Sequence, residues 1–408
     1  MAKMKILHTV QGYLPERNGM QEVVSQLSEK LVALGHEVTV ATTFSSQRTT
    51  AFINGVKVVS FNISGNAVTG MSGETDSYIS FLKQSDFDII TNFAAQQWAT
   101  DLMLPVLKEI KAKKVFVPTG FSALNVPAYK SYFENMKSWM KEYDANIFLS
   151  DNYRDINFAR ANNVQQVGII PNGASETEFA NAPFIDIRKL IHVPEDSPLI
   201  ITVGNHTGYK GHAEAMKIFS EAAIPNASLL VIGNDVTNGN RVFNKMKEVI
   251  NLAGLKDTNC SLSCKLTAAR YNALSPAGSI RVQAMSRTET INTFKQADLF
   301  LFPSLIECSP IVLFESLAAG TPFLVADVGN AKEIIEWTGG GQLLPTVIDK
   351  RGYSKVNIKE SAQMMKTLLN SKPAMESLAK AGNEAVLEKF TWTKIVKQYE
   401  GLYLQLFI

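Results

Sequence analysis

Residues 297–325 read ADLFLFPSLIECSPIVLFESLAAGTPFLV, and their pattern decides the fold. Leu299-Phe300-Leu301-Phe302 is an unbroken apolar run too short for a helix, as expected of a strand buried on both faces. Pro303-Ser304 ends it, and an apolar segment around Val312–Leu317 continues as a helix. Ala319-Gly320-Thr321-Pro322 stops that helix, and Phe323-Leu324-Val325 opens another strand. Strand, helix and strand in so short a span make a βαβ unit, whose strands run parallel.

The same grammar extends outward in both directions. Upstream lie the strand LIITVG (199–204), the loop NHTGYKG (205–211), the helix HAEAMKIFSEAA (212–223) and the strands ASLLVIG (227–233) and SIRVQAM (279–285). The N-terminal half opens alike, with the strand KMKILHTV (3–10), the loop QGYLPERNGM (11–20) and the helix QEVVSQLSEKLVAL (21–34). In that helix Val23, Leu27, Leu31 and Leu34 recur at helical spacing, and Gly35 ends it. The strands EVTVATT (37–43), VKVVSFNI (56–63), FDIITNF (87–93), KKVFVPT (113–119), ANIFLS (145–150) and VGIIPNG (167–173) follow. The rhythm breaks at 181–198, NAPFIDIRKLIHVPEDSP, read as the interdomain linker. The expected architecture is two Rossmann-like, doubly wound α/β domains facing a cleft. Residues 1–182 would form the first domain and 183–390 the second. The polar segment 234–276 reads in part as a surface excursion.

Composition narrows the function classes. The chain has 408 residues, enough for two cores, with 46% apolar and 19% charged residues, which argues against disorder. Forty Lys and Arg oppose 38 Asp and Glu, a net charge of +2, too small for a nucleic-acid binder. Cys260, Cys264 and Cys308 with five scattered His suit a reducing, cytoplasmic compartment and predict no metal site. The opening MAKMKILHTV lacks the apolar core of a signal peptide.

Doubly wound sheets bind ligands beyond the carboxyl ends of their strands, so the strand-end loops hold the candidate residues. Asn18-Gly19-Met20 precedes a helix, where Gly19 would let backbone amides approach an anion; a plain tight turn explains it equally well. Lys210, in the loop after LIITVG, can place a charge on a phosphate, or can be a solvated surface lysine. Glu307 falls in the loop after ADLFLFPS and Glu315 inside the next helix, two carboxylates able to accept from sugar hydroxyls. The helix dipole accounts for Glu307 without a ligand, but not for Glu315 among Val312, Leu313, Phe314 and Leu317.

Together the loop PERNGMQEVV, LGHEVTVAT, IIPNG, VGNHTGYKG, the 297–325 stretch and a late FTW resemble the retaining nucleotide-sugar glycosyltransferases of family 4, with the GT-B fold. The resemblance spans nearly the whole chain, and its two-glutamate motif is the specific part. It implies that Lys210 meets the donor diphosphate, that Gly19 faces the donor phosphates and that Glu315 binds the nucleotide ribose. It further implies that Glu307 lies near the donor sugar and that the Ser309-Pro310-Ile311 backbone lines sugar and phosphates. Phe390-Thr391-Trp392 would cross into a last helix, 391–408, that returns to the N-terminal domain.

The family usually has an Arg where this chain has Asn205 and a His where it has Thr119. Asn205 brings a hydrogen bond without charge, and His206 beside it is a stand-in if protonated. The implied activity is transfer of a hexosyl-type sugar from a nucleotide-sugar, UDP- or GDP-linked, to a carbohydrate or lipid-linked acceptor. The implied mechanism retains anomeric configuration and is metal-independent, with no cofactor. The competing readings are a catalytically impaired sugar-nucleotide-binding homologue, and an isomerase or phosphorylase on the same fold.

One further segment, VPAYKSYFENMKSWMKEY (126–143), spaces Tyr129, Tyr132, Phe133, Met136, Trp139, Met140 and Tyr143 at helical intervals, with lysines between. An aromatic face flanked by lysines suits the inner surface of an anionic membrane. Packing into the domain is the preferred alternative, and burial of Trp139 and its neighbours distinguishes the two.

Overall fold

A computed structural model describes residues 3–16, 18–233, 261–274 and 278–408. The chain divides into two compact units, residues 1–172 with 392–408, and residues 173–391. Cys260 and most of the 234–276 excursion lie outside the described residues.

The first unit is built on β1 (Lys5–Thr9), β2 (Glu37–Thr43), β3 (Phe52–Ile53), β4 (Val56–Phe61), the hairpin β5 (Ile63–Asn66) and β6 (Gly70–Gly73), β7 (Ile89–Phe93), β8 (Lys113–Val117), β9 (Ala145–Phe148) and β10 (Val167–Ile169). Its main sheet runs β10-β9-β8-β7-β1-β2-β4-β3, parallel except for the short edge strand β3. Strand order reverses between β1 and β7, and Ile6, Leu7, Ile89 and Ile90 are fully buried there.

The helix Gly19–Ala33 starts where Asn18 Oδ1 accepts from the amides of Met20 and Gln21 at 3.1 and 3.4 Å. Val23, Leu27 and Leu31 are buried as expected. Leu34 is not: it is the C-cap, 42% exposed, and Val24 fills the core instead. The C-terminal helix Trp392–Gln405 belongs to this unit. It is held by His36 Nε2 against Glu400 Oε1 at 3.0 Å and by Tyr403 against Thr91 Oγ1 at 2.7 Å.

The aromatic segment packs inward. Tyr132, Phe133, Met136, Met140 and Tyr143 are buried in the main core of the first unit, and Tyr129 and Trp139 are half-buried against it. Phe133 meets Phe121 edge-on at 5.1 Å and Tyr132 meets Trp139 at 6.0 Å. An apolar stripe with a protein core to cover has no reason to face lipid, so the membrane-surface reading of 126–143 is overturned. Among the described residues, no helix is long and apolar enough to cross a membrane.

The second unit carries β11 (Leu199–Val203), β12 (Ala227–Ile232), β13 (Gly278–Gln283), β14 (Leu299–Phe302), β15 (Phe323–Val325), β16 (Gly341–Leu343) and the hairpin β17 (Thr346–Ile348) and β18 (Ser354–Val356). The six-stranded sheet is parallel throughout, in the order β13-β12-β11-β14-β15-β16, the Rossmann arrangement. Each unit is thus Rossmann-like. The stretch 181–198 is no free linker: Ile187, Ile191 and Val193 are buried in the second unit's core, and the Ile187 amide donates to Gln296 Oε1 at 3.0 Å. Phe179 joins the same core, so this unit begins near Gly173, ahead of the expected boundary at 183.

Candidate functional site

Strand order in the second sheet reverses between β11 and β14, which pair directly through Ile200 with Leu299 and Ile201 with Phe300. Crossovers leave to opposite sides here, so the loops beyond the two carboxyl ends part and leave a crevice. These are residues 204–211, carrying Asn205 and Lys210, and 303–310, carrying Glu307, Ser309 and Pro310.

The two loops are tied together. The Leu305 amide donates to Tyr209 O at 2.8 Å, and Ser304 Oγ lies 2.8 Å from both Tyr209 O and Glu307 Oε1. Lys210 Nζ reaches Glu307 Oε1 at 2.6 Å, while 30% of the lysine side chain stays exposed. Gly211 makes this approach feasible. Its φ is +71°, and a Cβ there would stand 2.0 Å from Pro303 O. Gly329 works the same way behind Glu307: a Cβ would lie 2.4 Å from Cys308 O, and the Asn330 amide donates to that oxygen at 2.9 Å.

Pro310 is the N-cap of the helix Ile311–Ala318, and it supplies no side-chain cap to the first amides. Ser309, Pro310 and Ile311 therefore present a helix N-terminus next to the Lys210–Glu307 pair, which is suited to an anion. Glu315 lies one turn on, 4% exposed. Such burial needs a cation, and Arg287 provides it at 2.6 Å. The second terminal nitrogen of Arg287, Nη2, meets Glu178 at 2.8 Å, and its face covers Phe179. Reading the sequence missed Arg287. Its only local signal is the capping box of Ser286 and Glu289, which starts the helix Arg287–Gln296 and sets Arg287 at its first position.

Asn205 is half-buried in the β11 loop. His206, beside it, is 6% exposed, and its Nδ1 lies 3.1 Å from Nδ1 of His212. His212 is pushed down to about 3 by burial, with repulsion from His206 and Lys210 adding to it.

In the first unit, Gly19 is the exposed first residue of its helix, and a Cβ there would meet nothing within 4 Å. Open space surrounds it, although Asn18 already takes two of the nearby amides. Beside it lies a cavity of about 370 Å³ at the ends of β1 and β2, lined by Gln11, Glu16, Asn18, Gln21, Ser45 and Gln97 among others. Neutral amides and one carboxylate dominate it, groups that pair with hydroxyls. Arg48 in its wall is engaged by Leu14 O at 2.9 Å and Ser60 Oγ at 2.8 Å.

Thr119, Gly120 and Phe121, just beyond β8, have φ of +58°, +105° and +47°. A β-branched residue in the left-handed region is a genuine outlier. The turn is fixed by Asp155, whose Oδ2 accepts the Gly120 amide at 2.8 Å.

Comparison with known proteins agrees with this architecture. Residues 17–177 match the family described as Glycosyltransferase Family 4, and residues 184–385 match Glycosyl transferases group 1. A curated, uncharacterized glycosyltransferase of Methanocaldococcus jannaschii is 23% identical over 428 aligned positions, covering 98% of each chain. Among solved structures, sucrose-phosphate synthase from Thermosynechococcus elongatus superposes with a TM-score of 0.73 at 18% identity, covering 99% of both chains. Anabaena HepE, solved with UDP and glucose, has a TM-score of 0.72 at 13% identity, covering 98% of this chain and all of that one. At such identities the structural likeness speaks for the fold.

Proposed function

Since the chain belongs to the GT-B glycosyltransferases, a family 4 domain followed by a group 1 domain, we propose that it moves a hexosyl-type sugar from a nucleotide-sugar to an acceptor hydroxyl, with retention of anomeric configuration. The observation that carries this reading is the Lys210–Glu307 pair at the strand-order reversal, beside the uncapped helix at Ile311. An ammonium beside a helix N-terminus that has no side-chain cap suits a diphosphate. Negative charge grows on that group as the glycosidic bond breaks, and Lys210 would stabilise it there. Release from Lys210 would leave the Glu307 carboxylate for the sugar hydroxyls, with Ser304 still beside it. Glu315, aimed by Arg287, would accept from the ribose. Departure of the diphosphate and attack by the acceptor on one face need no carboxylate nucleophile, and a diphosphate oxygen would take the acceptor proton. The transfer step as proposed uses no metal or cofactor.

A UDP- or GDP-sugar is the donor we favour; HepE, of the same fold, was solved with UDP and glucose. The polar cavity beside Asn18 is where we place a carbohydrate or lipid-linked acceptor, because its lining offers hydroxyl partners. The test is a thermal-shift panel of UDP-, GDP- and ADP-sugars, then product analysis. The matching donor raises the unfolding temperature by mass action. Turnover yields a glycoside plus nucleoside diphosphate, and NMR of the anomeric proton reads retention. Donor-induced stabilisation without product, across a wide set of acceptors, would instead support the second reading. In that reading the chain is a sugar-nucleotide-binding homologue, favoured by Asn205 and Thr119 where the family carries Arg and His. Neither stabilisation nor product with any donor would remove both readings.

A further inference from the structure

Two histidines six residues apart and a cysteine from a remote helix converge beneath the Lys210-bearing loop. His206 lies in the loop after β11, His212 opens the helix His212–Ala222, and Cys264 lies in the helix Ser261–Leu274. One donor atom from each falls within 4.8 Å of the other two. All three are nearly solvent-free, at 6%, 2% and 2% exposure. The surroundings are shaped to this cluster: a side chain at Gly233 would stand 3.0 Å from the His206 ring, so its absence keeps the ring's seat open.

We propose that His206, His212 and Cys264 bind one borderline-soft divalent cation of the zinc class, which staples the Lys210-bearing loop to the helix Ser261–Leu274. A tetrahedral zinc with two imidazoles and one thiolate spaces its ligands roughly 3.3–3.8 Å apart, so small rotations close the set around a single ion. Two nitrogens and a sulfur select zinc-class ions over magnesium or calcium, which prefer oxygen. Three protein ligands leave the fourth position to water.

A direct hydrogen bond between the two Nδ1 atoms, 3.1 Å apart, is the competing account of the imidazole pair. It leaves two facts over. Nε2 of His212 is buried without a hydrogen bond among the described residues, and burying a polar nitrogen unpaired is costly. It also gives no reason for a thiol from a remote helix to meet the pair. The cation's role is to hold the loop, and the inference does not depend on the proposed sugar transfer.

The test uses the full-length protein, purified without a metal-affinity step and stripped with a chelator. Titration with Co²⁺ should saturate at one equivalent, with a thiolate-to-cobalt charge-transfer band and visible bands of tetrahedral intensity. Zn²⁺ should displace the Co²⁺ and raise the unfolding temperature of the stripped protein. Cys264→Ser should abolish the charge-transfer band and weaken Zn²⁺ binding by roughly tenfold or more. If that variant fails to fold, the wild-type cobalt spectrum decides alone. A saturated spectrum without the thiolate band, no stoichiometric uptake, or an unfolding temperature that Zn²⁺ does not move would each overturn the proposal in favour of the hydrogen-bonded pair.

Discussion

Lys210 Nζ stands 2.6 Å from Glu307 Oε1, joining the loop after β11 to the loop after β14 at the point where the sheet's strand order reverses. Ser304 touches the same carboxylate, so the pair sits in a hydrogen-bonded frame rather than on two loose side chains. If the lysine's partner in turnover is the leaving diphosphate, its contribution is larger in the transition state than in the bound ground state. Lys210→Ala should therefore lower kcat by roughly 10²–10³ while donor affinity falls much less. Steady-state kinetics beside calorimetric donor titration separates the two. Unchanged kcat with a raised KM would rule out the transition-state role.

Arg287 is the cation paired with Glu315 inside an apolar helix face. Glu315→Gln should weaken donor binding by about 1–3 kcal/mol, the worth of a lost charged hydrogen bond, in a folded protein. Arg287→Ala should act twice, loosening the carboxylate and leaving Glu315 beside Glu178 without their shared cation. About a quarter of the Arg287 side chain is exposed, so the stability loss should fall short of a fully buried break, at about 2–3 kcal/mol. Urea unfolding and donor titration of both variants check this. Donor affinity left intact in Glu315→Gln would dismiss the ribose assignment.

Gly211 is the position at which the loop after β11 is least tolerant. Alanine there combines a left-handed backbone with a Cβ placed 2.0 Å from Pro303 O. Gly211→Ala should cost about 2–4 kcal/mol and displace Lys210. Gly320→Ala is the control, since its φ is also positive, at +80°, but nothing lies within 4 Å of the new methyl. It should cost about 1 kcal/mol. Equal losses in thermal unfolding would show that the contact with Pro303 is unimportant.

Asp155 holds the strained Thr119–Phe121 turn, and burial pushes its carboxyl from 3.8 up to about 6, against the pull of the Ile156 and Gly120 amides. A folded-state value above the unfolded one means that the native state binds the extra proton. The stability this contributes is present below about pH 4 and is lost as pH rises through about 6, some 3 kcal/mol in all. Asp155→Asn has no proton to lose. The difference in unfolding free energy between wild type and variant should therefore change across this window and be flat from about pH 7 upward. A constant difference from pH 4 to pH 7.5 would refute the shifted carboxyl.

The sequence determined the main parallel strands by itself, but not the short β3 or the hairpins β5–β6 and β17–β18. Strands buried on both faces must be apolar throughout, so LFLF, FLV and LIITV read as parallel strands before any contact is known. Loop and helix placements of Glu307 and Glu315 followed from the same pattern, but the first helix starts at Gly19 under an Asn18 cap, two residues before the start read from the sequence. Tertiary structure alone decided what meets what. Lys210 and Glu307 are 97 residues apart, and their contact depends on β11 and β14 lying side by side, which strand order sets and local pattern does not encode. Periodicity marked the apolar face of 130–143 but could not say whether lipid or protein covers it, because the hydrophobic effect is indifferent to the partner. The same limit hid Arg287 behind Glu315 and brought His206, His212 and Cys264 together unannounced. Charges and metal donors act across space, and only the fold turns sequence separation into distance.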